Sequence, residues 1–204
     1  MVVATRQSDS IFSSGRLLDE DKINKALNNA SELGAEYAEI RLVSQTTNTA
    51  SLKDGKLERA IPGQEIGVTM RILADGAWGV HSTSDISSIP EQVGPTLRLA
   101  KAVAARRSSS QLPVGLAEVP IIEDVTHWRS VKDVRDTDLD TRIEMMLAID
   151  NEAKDHENIV STSTGWSDEH IHTELMTTEG MNRVWSFQRS LINGMVTARD
   201  GSDV

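Results

Sequence analysis

The sequence predicts an α+β fold: a largely antiparallel, twisted sheet carrying about three helices. Three observations predict it. Runs of alternating apolar and polar residues recur along the chain, Asp-Gly pairs separate some of them at hairpin spacing, and three segments carry apolar residues at helical intervals. The clearest alternation is in 65–73, where Ile66, Val68, Met70 and Ile72 interleave with Gly67, Thr69, Arg71 and Leu73. Asp75-Gly76 then supplies the positive-φ turn chemistry that returns the chain antiparallel through 77–81.

Residues 1–16 lack sustained periodicity and are expected to form a flexible tail, with Ile11 and Phe12 as its docking residues. A first helix follows, capped by Asp19 or Asp21, with Ile23, Ala26, Leu27, Ala30 and Leu33 on one face and Gly34 stopping it. Segment 35–43 reads as a strand with Ala38, Ile40 and Leu42 opposite Tyr37, Glu39 and Arg41. The Thr-rich stretch after it tolerates extended structure. Asp54-Gly55 joins 51–53 to 56–59 as a hairpin, and Pro62-Gly63 is expected to break the chain before the next strand. Ser88 and Glu91 form a capping-box pattern for a second helix carrying Val93, Leu97, Ala100 and Ala104. Pro95 either kinks that helix or marks its true start. Segment 108–115, with its serines, Pro113 and Gly115, is the linker expected between sub-lobes 17–107 and 116–204 of one domain spanning 17–204. Residues 120–128 read as irregular. A third helix spans 139–155, with Ile143, Met146, Leu147, Ile149 and Ala153 inward and acidic residues at its positive end. Strands at 159–167, 169–177, 183–191 and 195–199 complete a β-meander turned at Glu179-Gly180 and Asn193-Gly194.

Composition narrows the function. The 204 residues are 38% hydrophobic and carry a formal net charge of -10, and four Trp, two Phe and one Tyr leave the core mainly to aliphatic residues. An acidic chain repels phosphate backbones, so no direct nucleic-acid partner is expected. Cysteine is absent, excluding disulfides and thiolate zinc clusters. No apolar run approaches the roughly 18 residues of a membrane span, and the polar start is no signal peptide. A cytoplasmic protein without a membrane partner is the expectation.

The run GVTMRILADGAWGVHSTSD resembles the signature hairpin of the TldD/PmbA family, once named modulators of DNA gyrase. Gly67, Val68, Arg71, Gly76, Trp78, Gly79, Ser82, Thr83 and Asp85 fall where that family has similar residues. Val80 and His81 depart from its aromatic and small residues. TTEGMNRVWSFQRSLINGMVTARDG likewise resembles the family's Ser-Glu-Gly hairpin and following strand, so the resemblance covers about 20–201. It implies the amino-terminal domain of a zinc metallopeptidase acting on unfolded peptides, as a homodimer or a heterodimer with a paralogue. Active members carry HExxxH on a later helix, and here the motif is missing: Ser161 stands where His156-Glu157 would need a second His. No catalytic residue is therefore expected in this chain, and zinc is expected in the full-length active member. The chain stops three residues past Asp200-Gly201, a turn lacking its return strand, so truncation before a C-terminal domain is expected. The alternative is a non-catalytic PmbA/TldE-like partner or regulatory subunit.

The remaining metal candidates are His170, His172 and Glu174, which share one strand face at about 7 Å spacing. Against them stands a polar face in water, with Ile171, Thr173 and Leu175 toward the core. That reading is preferred, and the family places no ligands there. His81 and His127 are isolated. Helix capping accounts for Asp19-Glu20-Asp21, and packing for Trp78, Trp166 and Trp185.

Overall fold

The computed structural model describes residues 15–108, 112–127 and 131–201. Among these, the elements run α1 (Glu20–Glu32), β1 (Tyr37–Lys53), β2 (Lys56–Ala74), β3 (Ala77–Thr83), α2 (Val93–Ala105), β4 (Glu123–His127), α3 (Leu139–Lys154), β5 (Ile159–Thr177) and β6 (Asn182–Ala198). The strands hydrogen-bond in the order β3-β2-β1-β5-β6-β4. The α+β architecture with three helices and a mostly antiparallel sheet is the one the sequence predicts. The expected tail lies, apart from Gly15 and Arg16, outside the described residues. So does the middle of the expected linker, 109–111.

The chain forms two compact units. The first holds the described residues of 1–44, 66–127 and 172–185; the second holds those of 45–65, 128–171 and 186–204. In the first unit, Ile23, Ala26, Leu27 and Ala30 of α1 pack with Ala38, Ile40 and Leu42 of β1, Val68, Met70 and Ile72 of β2, and Val93, Leu97 and Ala100 of α2. Asp19 caps α1 by accepting from the Lys22 N–H at 3.1 Å, satisfying a donor that the first turn leaves free. The β2–β3 turn has both central residues at positive φ, Asp75 at 51° and Gly76 at 68°. It sets a register in which Val68 faces Thr83 and Leu73 faces Trp78. Helix α2 lies close on β3: a Cβ at Gly79 would come within 2.1 Å of the Thr96 carbonyl oxygen.

The second unit has a smaller core of Ala50, Leu52, Met146 and Trp166, with Leu147 against it. Asp138 caps α3 through the Thr141 N–H at 2.6 Å. At the β1–β2 turn, Asp54 accepts from the Thr162 N–H at 2.8 Å and the Ser161 hydroxyl at 3.0 Å. Buried Asp150 pairs with Lys154 at 2.8 Å. Burial opposes its ionisation, but the Lys154 ammonium outweighs that and holds its carboxyl below the usual range.

Several sequence expectations are corrected. Pro62-Gly63 does not break the chain; β2 runs straight through it. The β3 register ends at Val68, so Pro62 sits where β2 has no β3 partner, a position at which a missing N–H is tolerated. Asn193-Gly194 is no turn but lies inside β6, and the two expected strands of 159–177 are one. The meander is therefore a single long hairpin, turned at Gly180 with φ 93°. The capping box fails too. Asp85 caps a 3-10 segment, Ile86–Gln92, by accepting from the Ser87 N–H, while the Ser88 hydroxyl donates to the Asp85 carbonyl. Helix α2 starts at Val93, with Pro95 in its first turn, where its missing donor is harmless. The stretch read as irregular contains β4. Leu33, Ile66 and Ile149, expected inward, are exposed.

Candidate functional site

Strand β5 presents the face opposite to the one expected. Thr162, Thr164, Trp166, Asp168, His170, His172, Glu174 and Met176 are all buried, whereas Ile171 and Leu175 are only partly covered; of the three residues expected inward, Thr173 alone is buried. Polar groups go inside here because partners await them. In the second unit, Asp168 receives Arg142 Nε at 2.5 Å, Trp166 Nε1 at 2.7 Å and the Ser190 hydroxyl. Arg142 donates from one terminal nitrogen to the carbonyl of Thr137 and from the other, at 2.6 Å, to that of Val134. In the first unit, the Glu174 carboxylate accepts from the N–H groups of Leu17 and Leu18, and lies 2.8 Å from His172 Nε2.

A zinc ligand must offer a lone pair of its own. Both Glu174 oxygens already hold chain-entry N–H groups, and His172 Nε2 is turned to that same carboxylate. His170 belongs to the other unit, where it adds to the influence of Arg135 in holding the Asp133 carboxyl below its usual range. No cluster of three or more His, Asp or Glu side chains suited to a metal occurs among the described residues.

What the structure does gather is the sheet face of the first unit opposite to its core. Glu39 Oε1 accepts from Arg71 Nε at 2.7 Å and Oε2 accepts from the Tyr37 hydroxyl at 2.9 Å. The Arg71 guanidinium lies 5.0 Å from the Trp78 ring centroid, and Tyr37 meets that ring edge-on at 5.9 Å. Nearby, Arg41 and Arg183 stand 5.9 and 5.6 Å from the Trp185 ring, with Arg183 paired to Asp124 at 3.0 Å. Burial, reinforced by the bond to Glu39, pushes the Tyr37 phenol well above its usual range, and the same carboxylate raises Arg71. Glu39, Arg41, Val43, Gly67, Thr69 and Arg71 line a cavity of about 510 Å³. A second cavity, of about 690 Å³, lies by the Asp75-Gly76 turn between Trp78, Val103, Leu112 and Val114, with Arg106 and Arg107 on its wall. Both environments suit the binding and orienting of an anionic or apolar group.

Sequence reading placed Tyr37, Glu39 and Arg41 on one strand face but did not join Arg71 to Glu39. The signal was there in the alternation of both strands; the register between them was missing. Trp78 and Trp185 turn out to carry guanidinium groups and not simply to fill space. Asp19 caps as expected, and His81 joins no cluster among the described residues. The side chain of His127 lies outside the description.

Two family models match the chain: PmbA/TldA metallopeptidase domain 1 over residues 38–109 and the PmbA/TldA metallopeptidase central domain over residues 132–204. A metalloprotease of Methanothermobacter thermautotrophicus is 27% identical over 83% of the chain and 36% of its own length. One from Methanocaldococcus jannaschii is 29% identical over 80% of the chain and 35% of its own length. The chain thus spans about a third of these relatives. Among solved structures, a Thermotoga maritima protein named for modulation of a DNA gyrase superposes with a TM-score of 0.70 at 17% identity, covering 90% of the chain and 40% of that protein. A similarly named Bacteroides thetaiotaomicron protein gives 0.67 at 18% identity, covering 93% and 44%. TldE from Thermococcus kodakarensis gives 0.57 at 14% identity, covering 89% and 40%. At these identities the superpositions speak for the fold.

Proposed function

Because the chain belongs to the PmbA/TldD metallopeptidase family, we propose that it is the amino-terminal scaffold of a zinc metallopeptidase acting on unfolded peptides. Its residues shape the substrate chamber, and the metal is held by residues outside this chain. The observation that carries the reading is the pairing of two metallopeptidase-domain matches with a buried Glu174 whose oxygens accept from the Leu17 and Leu18 N–H groups and face His172. Strand β3 ends the sheet, and its outer row of backbone groups can take an extended peptide by strand addition, a sequence-tolerant mode suited to unfolded substrates. A dimer, with itself or with a paralogue, would enclose such a chamber.

The test is the endogenous protein. Its intact mass, its zinc content and its cleavage of an unfolded substrate with and without chelator should be measured on one preparation. A species well above 204 residues, carrying zinc and losing cleavage with chelator, is expected, whereas this chain alone cleaves nothing. A native protein without zinc or cleavage would instead establish the non-catalytic partner.

A further inference from the structure

The cavity at Gly67 contains a glycine that the chain itself does not require. Gly67 sits within β2 without a positive φ, and a Cβ there would meet nothing closer than the Thr83 carbonyl at 4.0 Å. Gly79 is different, since α2 occupies its missing side-chain space. A glycine inside a strand forgoes packing and β-propensity, and marks a place where another group approaches the backbone. At Gly67 that group is not part of the described chain.

The rim defines its chemistry. Both Glu39 oxygens are engaged, by Arg71 and by Tyr37, so this carboxylate presents little free charge to the cavity. Arg71 gives its Nε to Glu39. Arg41 rests against Trp185 and has no ion pair among the described residues. The Thr69 hydroxyl shares a hydrogen bond with Ser82 at 3.0 Å. Two guanidinium groups thus border a bare backbone floor, on a chain whose overall charge is -10. Guanidinium forks match planar carboxylates in geometry as well as in charge.

We infer that this cavity binds the C-terminal carboxylate of an extended peptide. Arg41 holds the carboxylate while Arg71 stays joined to Glu39 at the rim, and the open backbone at Gly67 admits the side chain of the last residue. A terminal residue carries a carboxylate and a side chain on one carbon, which suits a cavity with a charged rim, a bare floor and a volume of about 510 Å³. The choice of a peptide rests on the proposed function above; the carboxylate rests on the geometry.

Binding to the 204-residue chain can be followed by calorimetry with three probes: acetyl-Ala-Ala-Leu as the free acid, the same peptide as its C-terminal amide, and acetyl-Ala-Glu-Ala-amide. The free acid should saturate one site, and the two amides should bind about tenfold more weakly or worse, the worth of a charged hydrogen bond. Gly67→Val, which fills the floor with a residue that strands favour, should weaken the acid by about tenfold or more without lowering the melting temperature. Arg41→Gln should do the same from the rim. Equal binding of acid and amide, no binding of the acid, or unchanged binding by Gly67→Val overturns the assignment. So does equal binding of the Glu-containing amide, which would transfer the site to acidic side chains. No turnover is measured, so a full-length protein that cleaves nothing would sink the peptidase reading and leave this result standing.

Discussion

At the scale of single residues, the Arg142–Asp168 pair shows why β5 turns its polar face inward. Its side chains are only 5% and 2% exposed, and between them they satisfy Trp166, Ser190 and two carbonyls of the approach to α3. Removing one member of a buried pair strands the other without water, at a cost of about 3–5 kcal/mol. Arg142→Met should therefore lower unfolding free energy by about that much in urea titrations, and adding Asp168→Leu should recover a large part of the loss. Equal stability of the single variant and the parent would contradict this. A second prediction uses the chain's single tyrosine. Burial, then the bond to Glu39, raises the folded-state pKa of Tyr37 above its unfolded value of about 10. A raised folded value means that the neutral phenol's contribution is fully present below about pH 10 and is lost as pH rises beyond it. Ultraviolet difference spectra should thus show no phenolate in the folded chain where free tyrosine is half ionised, and Tyr37→Phe should flatten the decline of stability above that pH. Phenolate forming at the ordinary pH in folded protein would refute it. These residues were visible in the sequence, but their partners were not. Alternation places Glu39 on a face without saying whether the face is wet, and it left Asp168 between two expected strands; each depends on an arginine, 32 positions away in one case and 26 in the other.

Elements were legible where one local feature decides them. Asp54-Gly55 and Asp75-Gly76 turn as read because both residues of each pair accept positive φ. Gly34 and Asp19 bound α1 for similarly local reasons. Continuity was illegible: Pro62-Gly63 and Asn193-Gly194 carry breaker chemistry, yet β2 and β6 run 19 and 17 residues through them. A long neighbouring strand can hold a poor segment extended, and that support is non-local. Two glycines separate these levels in one experiment. Gly79→Ala forces a Cβ to within 2.1 Å of the Thr96 carbonyl, so α2 must shift off β3, at about 1–3 kcal/mol. Gly67→Ala meets no such obstacle and should be neutral or stabilising by up to about 1 kcal/mol, the usual penalty of a mid-strand glycine. Chemical denaturation of both variants checks this. A destabilised Gly67→Ala would mean that β2 needs that glycine for its own backbone.

For the whole molecule, charge decides which partners can approach. Each phosphate contact gains affinity by releasing counterions, so binding to a duplex needs several unneutralised cations on one surface. Here the formal charge is -10 and the sequence pI about 4.9. Even the arginine-bearing face of the first unit is largely balanced: Arg71 is joined to Glu39, and Arg183 to Asp124. Arg41 remains, and a single guanidinium gives one phosphate contact. The structural relatives named for modulation of DNA gyrase therefore do not lead to an expectation of DNA contact by this chain. In a gel-shift titration, duplex DNA should run unretarded at physiological salt. Lowering the salt should bring at most weak, non-saturating retardation, because it lengthens the reach of a repulsion that the net charge already sets. A discrete complex surviving at physiological salt would mean that this charge is distributed to expose a cationic surface, and Arg41→Gln would then show whether the Gly67 cavity is part of it.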